Sequence, residues 1–290
     1  MKGSRMGKRL RRFLLYPAAA TLPALGLMIG LGVTGAQAST TPSASAYAQA
    51  LANAKTYIKQ LAIGDHGTNH RVSGFSKKIE GLNQVESTNW SGYADTGSNF
   101  TRVSGSWTEP SASCGSGVSL AAFWVGIDGY SSGSVEQDGT LIECDGGLFQ
   151  FSWWEMYPSN AIQVVGSSVA TGDQISASVT RSGTRYSLAL TDFTHPGNSF
   201  TTNQSCNCAN TSAEWIAEAP SGSGGIFPLT HFSTWTLSNA SVTENGTTGV
   251  ISTFTDNEIT MINNSGQVKA QPGPLNGSGN SFNVTWERSS

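Results

Sequence analysis

From residue 87 to residue 290, short runs rich in Val, Ile, Thr, Ser, Phe and Trp alternate with Gly, Asn and Asp turns, and no helical period of useful length interrupts them. This texture predicts many short strands, hence an all-β sandwich or barrel. About 200 residues suits one such domain. The candidate strands are 90–94, 101–108, 120–128, 134–138, 148–157, 161–169, 174–181, 185–193, 212–218, 232–244, 249–255, 258–262 and 281–286. The clearest stretch is 120–158, where Leu120–Asp128, Val135–Gly139 and Leu148–Pro158 read as three strands separated by Gly-rich turns. The many Ser and Thr alternates are expected on outward faces. The segment 194–211 reads as a loop.

Ahead of this body lies a different composition. Lys2, Arg5, Lys8, Arg9, Arg11 and Arg12 precede an apolar run from about Phe13 to Val33, which exits through Ala36-Gln37-Ala38. That is the pattern of a secretory signal peptide over 1–38. Residues 39–86 form a separate segment, with a predicted helix over 47–61 and basic residues at Arg71, Lys77 and Lys78. Cleavage after Ala38 leaves ten of the 16 basic residues against all 19 acids. An acidic body lacks the positive footprint that nucleic acid requires. The expected protein is secreted, free of stable membrane association once the signal is removed, and monomeric.

Cys114, Cys144, Cys206 and Cys208 are disulfide candidates in an exported chain. Cys206 and Cys208 stand one residue apart, so each is expected to reach back, one to Cys114 and one to Cys144. The spacing is poor for zinc, and no metal site is expected.

Several catalytic devices are missing. H-E-x-x-H and the phosphate-binding G-x-x-x-x-G-K-[ST] are absent. Gly129-Tyr130-Ser131-Ser132-Gly133 matches G-x-S-x-G, but no helix is predicted after it, which a nucleophile elbow needs. Neither His195 nor His231 has a nucleophile to activate. Carboxylates and amides remain: Asp128, Glu136, Gln137, Glu143, Glu155, Glu214 and Glu218, in aromatic or Gly-rich surroundings. In the strand Ala213–Glu218, Glu214, Ile216 and Glu218 share a face and Trp215 points away. A carboxylate among Trp rings can have its pKa raised and so exchange protons in acid. Two metal-free chemistries fit: glycoside hydrolysis, with Glu155 and Glu214 as the carboxylates, and peptide hydrolysis by base-activated water with an oxyanion donor. A non-catalytic carbohydrate-binding module fits the Trp content as well.

Six motifs are more specific: Asn89-Trp90-Ser91-Gly92-Tyr93, Val103–Pro110, Trp124-Val125-Gly126-Ile127-Asp128-Gly129, Glu136-Gln137-Asp138-Gly139, Trp153-Trp154-Glu155-Met156-Tyr157-Pro158 and Ala213-Glu214-Trp215-Ile216-Ala217-Glu218. Together they resemble the glutamic peptidases, or eqolisins. The resemblance implies a sandwich of two bent antiparallel sheets, a propeptide (here 39–86), acid endopeptidase activity on polypeptides and no cofactor. It also implies that Gln137 and Glu214 are the catalytic pair, with Trp124, Asp128, Trp153 and Glu155 lining or supporting the cleft. One departure is Phe151, where members of the family usually carry an acid.

Overall fold

The computed structural model describes residues 77–79, 82–166, 168–222 and 224–290, preceded by four exposed helical residues, Ser45, Ala48, Gln49 and Ala52. The signal-peptide reading and most of the 39–86 segment, including the rest of the helix expected over 47–61, lie outside the described residues.

The strands are β1 (Lys77–Ile79), β2 (Leu82–Ser87), β3 (Trp90–Thr96), β4 (Phe100–Thr108), β5 (Ala112–Ser113), β6 (Ser119–Ile127) and β7 (Val135–Cys144). There follow β8 (Leu148–Tyr157), β9 (Asn160–Val164), β10 (Gln174–Ser182), β11 (Arg185–Asp192), β12 (Phe200–Ser205), β13 (Ser212–Glu218) and β14 (Ser221–Gly222). The last are β15 (Gly225–Ile226), β16 (His231–Phe232), β17 (Trp235–Glu244), β18 (Thr247–Gly249), β19 (Asp256–Ile262), β20 (Val268–Pro272) and β21 (Phe282–Trp286).

They form the expected sandwich. One sheet runs β1-β2-β19-β3-β13-β6-β7-β8-β9. The other runs β20-β21-β17-β4-β10-β11-β12, and β20 also pairs with β19, which joins the two at one edge. These pairings are antiparallel except β2 against β19, which is parallel.

Alternation along each strand sends one set of side chains between the sheets. Phe123, Val125 and Ile127 of β6 meet Trp215 of β13, Ala177 of β10, Leu188 of β11, and Trp235 and Leu237 of β17 there. The Trp215 indole crosses the gap to donate to the Ser104 carbonyl at 2.9 Å. A second apolar cluster lies on the other face of the first sheet: Trp90, Ala94, Ala122, Trp124, Leu141, Phe151, Trp153 and Ile216. With apolar layers on both sides, β7 and β13 are buried at every residue.

The structure departs from the sequence reading in several places. Cys114 pairs with Cys144 and Cys206 with Cys208, with Cα separations of 5.3 and 5.4 Å. The expected cross-pairing fails because the two bridges sit at opposite ends of β7. Cys206 Sγ lies 3.8 Å from Glu136, eight residues and roughly 27 Å of strand from Cys144. The loop 194–211 contains β12, whose polar run Thr-Thr-Asn-Gln-Ser carries no apolar period to reveal it. The apolar run 249–255 contains a 3-10 turn, Ile251–Thr253, that buries Ile251. The 39–86 segment was read without strands, yet β1 and β2 belong to the sheet.

Candidate active site

The register of the first sheet builds the site. Glu214 on β13 faces Gly126 on β6, Gly126 faces Gln137 on β7, and Gln137 faces Glu155 on β8. On the far side of Glu214 stands Ala94 of β3. Direct cross-strand partners point to one face, so Glu214 and Gln137 stand in one row with only a glycine between them. Their Cα atoms are two strand spacings apart, roughly 10 Å. Gly126 lets the Trp124 ring and Gln137 close in over that interval. A Cβ there would stand 3.1 Å from Gln137 Cβ and 3.0 Å from the Trp124 ring.

The next row along the same face holds Ile216, Trp124, Gly139 and Trp153. Trp124 lies across the glycine: a Cβ at Gly139 would stand 2.7 Å from Trp124 Cβ. Its indole N–H donates to Glu218 Oε2 at 2.9 Å, and its ring meets Trp90 edge-on at 5.1 Å. Asn89 Nδ2 donates to the other oxygen of Glu218 at 3.3 Å. Glu218 therefore fixes the Trp124 indole, a contact sequence reasoning did not assign to it. Gly126 was also missed; a glycine inside an otherwise apolar strand was the available signal.

Gln137 Nε2 donates to Glu155 Oε2 at 2.7 Å, which fixes the amide. Among the described residues, Gln137 Oε1, Trp153 Nε1 and both carboxyl oxygens of Glu214 are buried without a hydrogen-bond partner. Buried polar atoms are normally satisfied. Unsatisfied ones grouped on one face are candidates for contacts with water or substrate.

Burial raises the Glu214 pKa well above the carboxylate range, and the charges of Asp128 and Glu136 add to the effect. The Ser212 hydroxyl and the Tyr130 backbone amide lie near enough to offset it in part, though neither makes a hydrogen bond to the carboxyl. Burial also pushes Glu155 up to about 8, against the lowering effect of Gln137, and Glu218 up to about 7. The site is closed in this chain: Glu214 is 0% exposed and Gln137 5%. Half-buried Tyr130, in the β6–β7 turn, packs on the same apolar cluster. The sequence reading expected a groove open to solvent. The pair has the expected face without that access.

Asp128 stands apart from the row. Its backbone adopts φ of 69°, and its carboxylate accepts from the Asn210 and Thr211 amides at 2.6 and 2.8 Å and from Ser134 at 3.2 Å. It ties the β6–β7 turn to the segment entering β13. Ser131 lies in that turn between two antiparallel strands, as expected of a chance motif match. Two side-chain groups among the described residues have the spacing of metal ligands. In one, Glu136 with Cys206 and Cys208, both sulfurs are tied in a disulfide. In the other, Asp173, Asp192 and His195, the carboxylates already hold backbone amides and the His195 ring. No metal chemistry is routed through either.

A glycosidase arrangement fits poorly. The Cα atoms of Glu214 and Glu155 are three strand spacings apart, roughly 14 Å, and the side chain between them is Gln137, which can serve neither as a glycosidase's acid nor as its nucleophile.

Comparison with known proteins gives a consistent picture. The model of the Peptidase A4 family matches residues 88–285. The chain is 27% identical to aspergillopepsin-2 of Aspergillus niger over 212 residues, 63% of this chain and 75% of that protein. It is 33% identical to scytalidopepsin B of Scytalidium lignicola over 147 residues, 49% of this chain and 55% of that one. A solved structure of scytalido-glutamic peptidase with a peptide-based transition state analog superposes with a TM-score of 0.58 at 27% identity, covering 69% of this chain and 98% of the other. A structure of an eqolisin, SCP-B, with the tripeptide Ala-Ile-His gives 0.56 at the same identity and coverage.

Proposed function

The chain belongs to the Peptidase A4 family, the glutamic peptidases, and is a peptidase; from that premise we propose that it is a secreted, acid-acting endopeptidase that uses Glu214 and Gln137. The observation that carries this reading is the row Glu214–Gly126–Gln137, which sets a carboxyl and an amide on one face of the sheet with only a glycine between them.

The chemistry follows from those two side chains. In the open enzyme a water is held between Gln137 and Glu214. Glu214 takes its proton as the oxygen attacks the peptide carbonyl carbon. Gln137 Nε2, steadied by Glu155, donates to the oxyanion that forms. Glu214 then returns the proton to the leaving amine, the C–N bond breaks, and the carboxylate is regenerated.

A base must be ionised, and a Glu214 raised far by burial is protonated in acid. Desolvation is the main cause of that shift, so admitting water and substrate removes most of it. In the closed site burial keeps Glu214 in its acid form. This supports a precursor that gains activity when its N-terminal part, including 39–86, is removed. The signal-like N-terminus and the two disulfides support export.

The test is acid digestion of an unfolded protein substrate by the processed chain, comparing wild type with Gln137→Ala. Loss of one oxyanion donor is expected to cost about a hundredfold or more in kcat. Undiminished cleavage by the variant would remove Gln137 from the mechanism.

A further inference from the structure

Ser212 opens β13 and shares a face with Glu214, two residues further on. It is fully buried, and among the described residues its hydroxyl has no hydrogen-bond partner. Buried hydroxyls normally find one, because leaving such a group unsatisfied is costly. The backbone around it is held on both sides. The Ser212 carbonyl accepts from the Asp128 amide at 3.1 Å. The Thr211 amide and hydroxyl donate to the Asp128 carboxylate at 2.8 and 3.1 Å, and the Thr211 carbonyl accepts from the Gly97 amide at 3.0 Å. The entry to the strand is clamped while the side chain it presents is idle.

The neighbour that can use this hydroxyl is Glu214, whose two carboxyl oxygens are also buried and unpartnered. Desolvation raises the Glu214 pKa, and the foremost group opposing it is the Ser212 hydroxyl, followed by the Tyr130 amide. No hydrogen bond joins Ser212 to Glu214 in the closed chain, where the carboxyl keeps its proton. A hydroxyl gains far more from a charged acceptor than from a neutral one. Resting on the assignment of Glu214 as the base, we propose that Ser212 is its positioning residue: once the site opens and Glu214 gives its proton to solvent, the Ser212 hydroxyl donates to one carboxylate oxygen and leaves the other to the attacking water.

The other neighbours cannot do this. Asp128 and Glu136 bring negative charge toward Glu214, and no cation contributes. Glu155 stands beyond Gln137, and Glu218 lies four residues along the same face of β13. The Tyr130 phenol, in the β6–β7 turn, feels the Glu214 charge. Strand β3 turns Trp90, Gly92, Ala94 and Thr96 to this face, none of them titratable. A neutral donor on a clamped backbone favours the base form and fixes its direction without adding charge.

The test is the pH dependence of kcat/KM for the processed wild type, Ser212→Ala and Ser212→Thr. Activity rises with pH as Glu214 ionises. In Ser212→Ala that rise is expected about one pH unit higher, the equivalent of one charge-assisted hydrogen bond, with KM unchanged because Ser212 does not touch the substrate. Ser212→Thr keeps a hydroxyl and should keep the wild-type profile. Thermal unfolding of the whole, unprocessed chain separates this role from a structural one. The hydroxyl bonds to nothing in the closed form, so Ser212→Ala should leave Tm unchanged or higher. An unmoved pH profile overturns the proposal, whether or not Tm falls. Glu214→Gln with wild-type activity would instead remove Glu214 as the base. In that case the carbon-13 carboxyl resonance of Glu214 still reads its ionisation, and an equal midpoint in wild type and Ser212→Ala overturns the proposal by itself.

Discussion

On the first sheet, β6 turns Ala122, Trp124 and Gly126 away from the inter-sheet core, and all three are buried. On the second, β10 turns Ser176, Ser178 and Thr180 away from it, and these are half-buried or exposed. The cross-strand rows continue the contrast. Ser178 stands between Ser104 of β4 and Ala189 of β11, and Ala189 faces Thr201 of β12. Strands β4, β10, β11 and β12 put no carboxylate on that outer face. The corresponding face of the first sheet carries Glu214, Glu155 and Glu218 among tryptophans. Alternation fixes which residues share a side. What covers that side decides whether their polar groups meet water or one another, and only a covered side can hold carboxyl groups far from their ordinary pKa.

The sharpest way to break this comparison is Glu214→Gln. Activity of the processed enzyme is expected to fall about a thousandfold or more, while Tm at neutral pH holds or rises because an unpaired buried carboxyl is gone. Residual activity near wild type would make the carboxyl-bearing face as ordinary as the hydroxyl face. Gly126→Ala is next. The added methyl presses on Gln137 and Trp124 without changing any charge, so kcat should drop about a hundredfold with the fold retained by circular dichroism.

Stability against pH sharpens the contrast. Glu155 and Glu218 have folded pKa values of about 8 and 7, against 4.5 for the ordinary group. The folded chain holds protons there that the unfolded chain releases. Their contribution is therefore full below about pH 4.5 and is lost as pH rises through 7 to 8. For Glu218 the shift is worth on the order of 3 kcal/mol. Tm should decline across that window, and the double substitution Glu155→Gln and Glu218→Gln should flatten the decline. The smallest effect is expected on the other sheet. Ser178→Ala should change stability by no more than about 0.5 kcal/mol, with no dependence on pH between 4 and 8.

Much of this was written locally in the chain. Short apolar-polar runs between Gly and Asn gave the all-β sandwich, and the two-residue period put Glu214 and Glu218 opposite Trp215. Long-range pairing was not written there. Nothing near Gly126 says that β6 will lie between β13 and β7, yet that register alone makes this glycine the interval between Glu214 and Gln137. The cysteine pairing failed for the same reason, since it depends on which end of β7 each loop reaches. Strand β12 escaped notice because after Phe200 its side chains are polar on both sides, and β2 because its partner β19 lies far away in sequence.

Strand β2 has a consequence for timing. From Asn83 to Ser87 it lies against β19, Gln84 donates to Glu258, and Ser87 accepts from the Asn89 and Trp90 amides. Scission of the backbone just after Ser87 would not detach what precedes it. The severed end would remain docked like a ligand, with its own dissociation rate, so nicking and unveiling would be separate events on separate clocks.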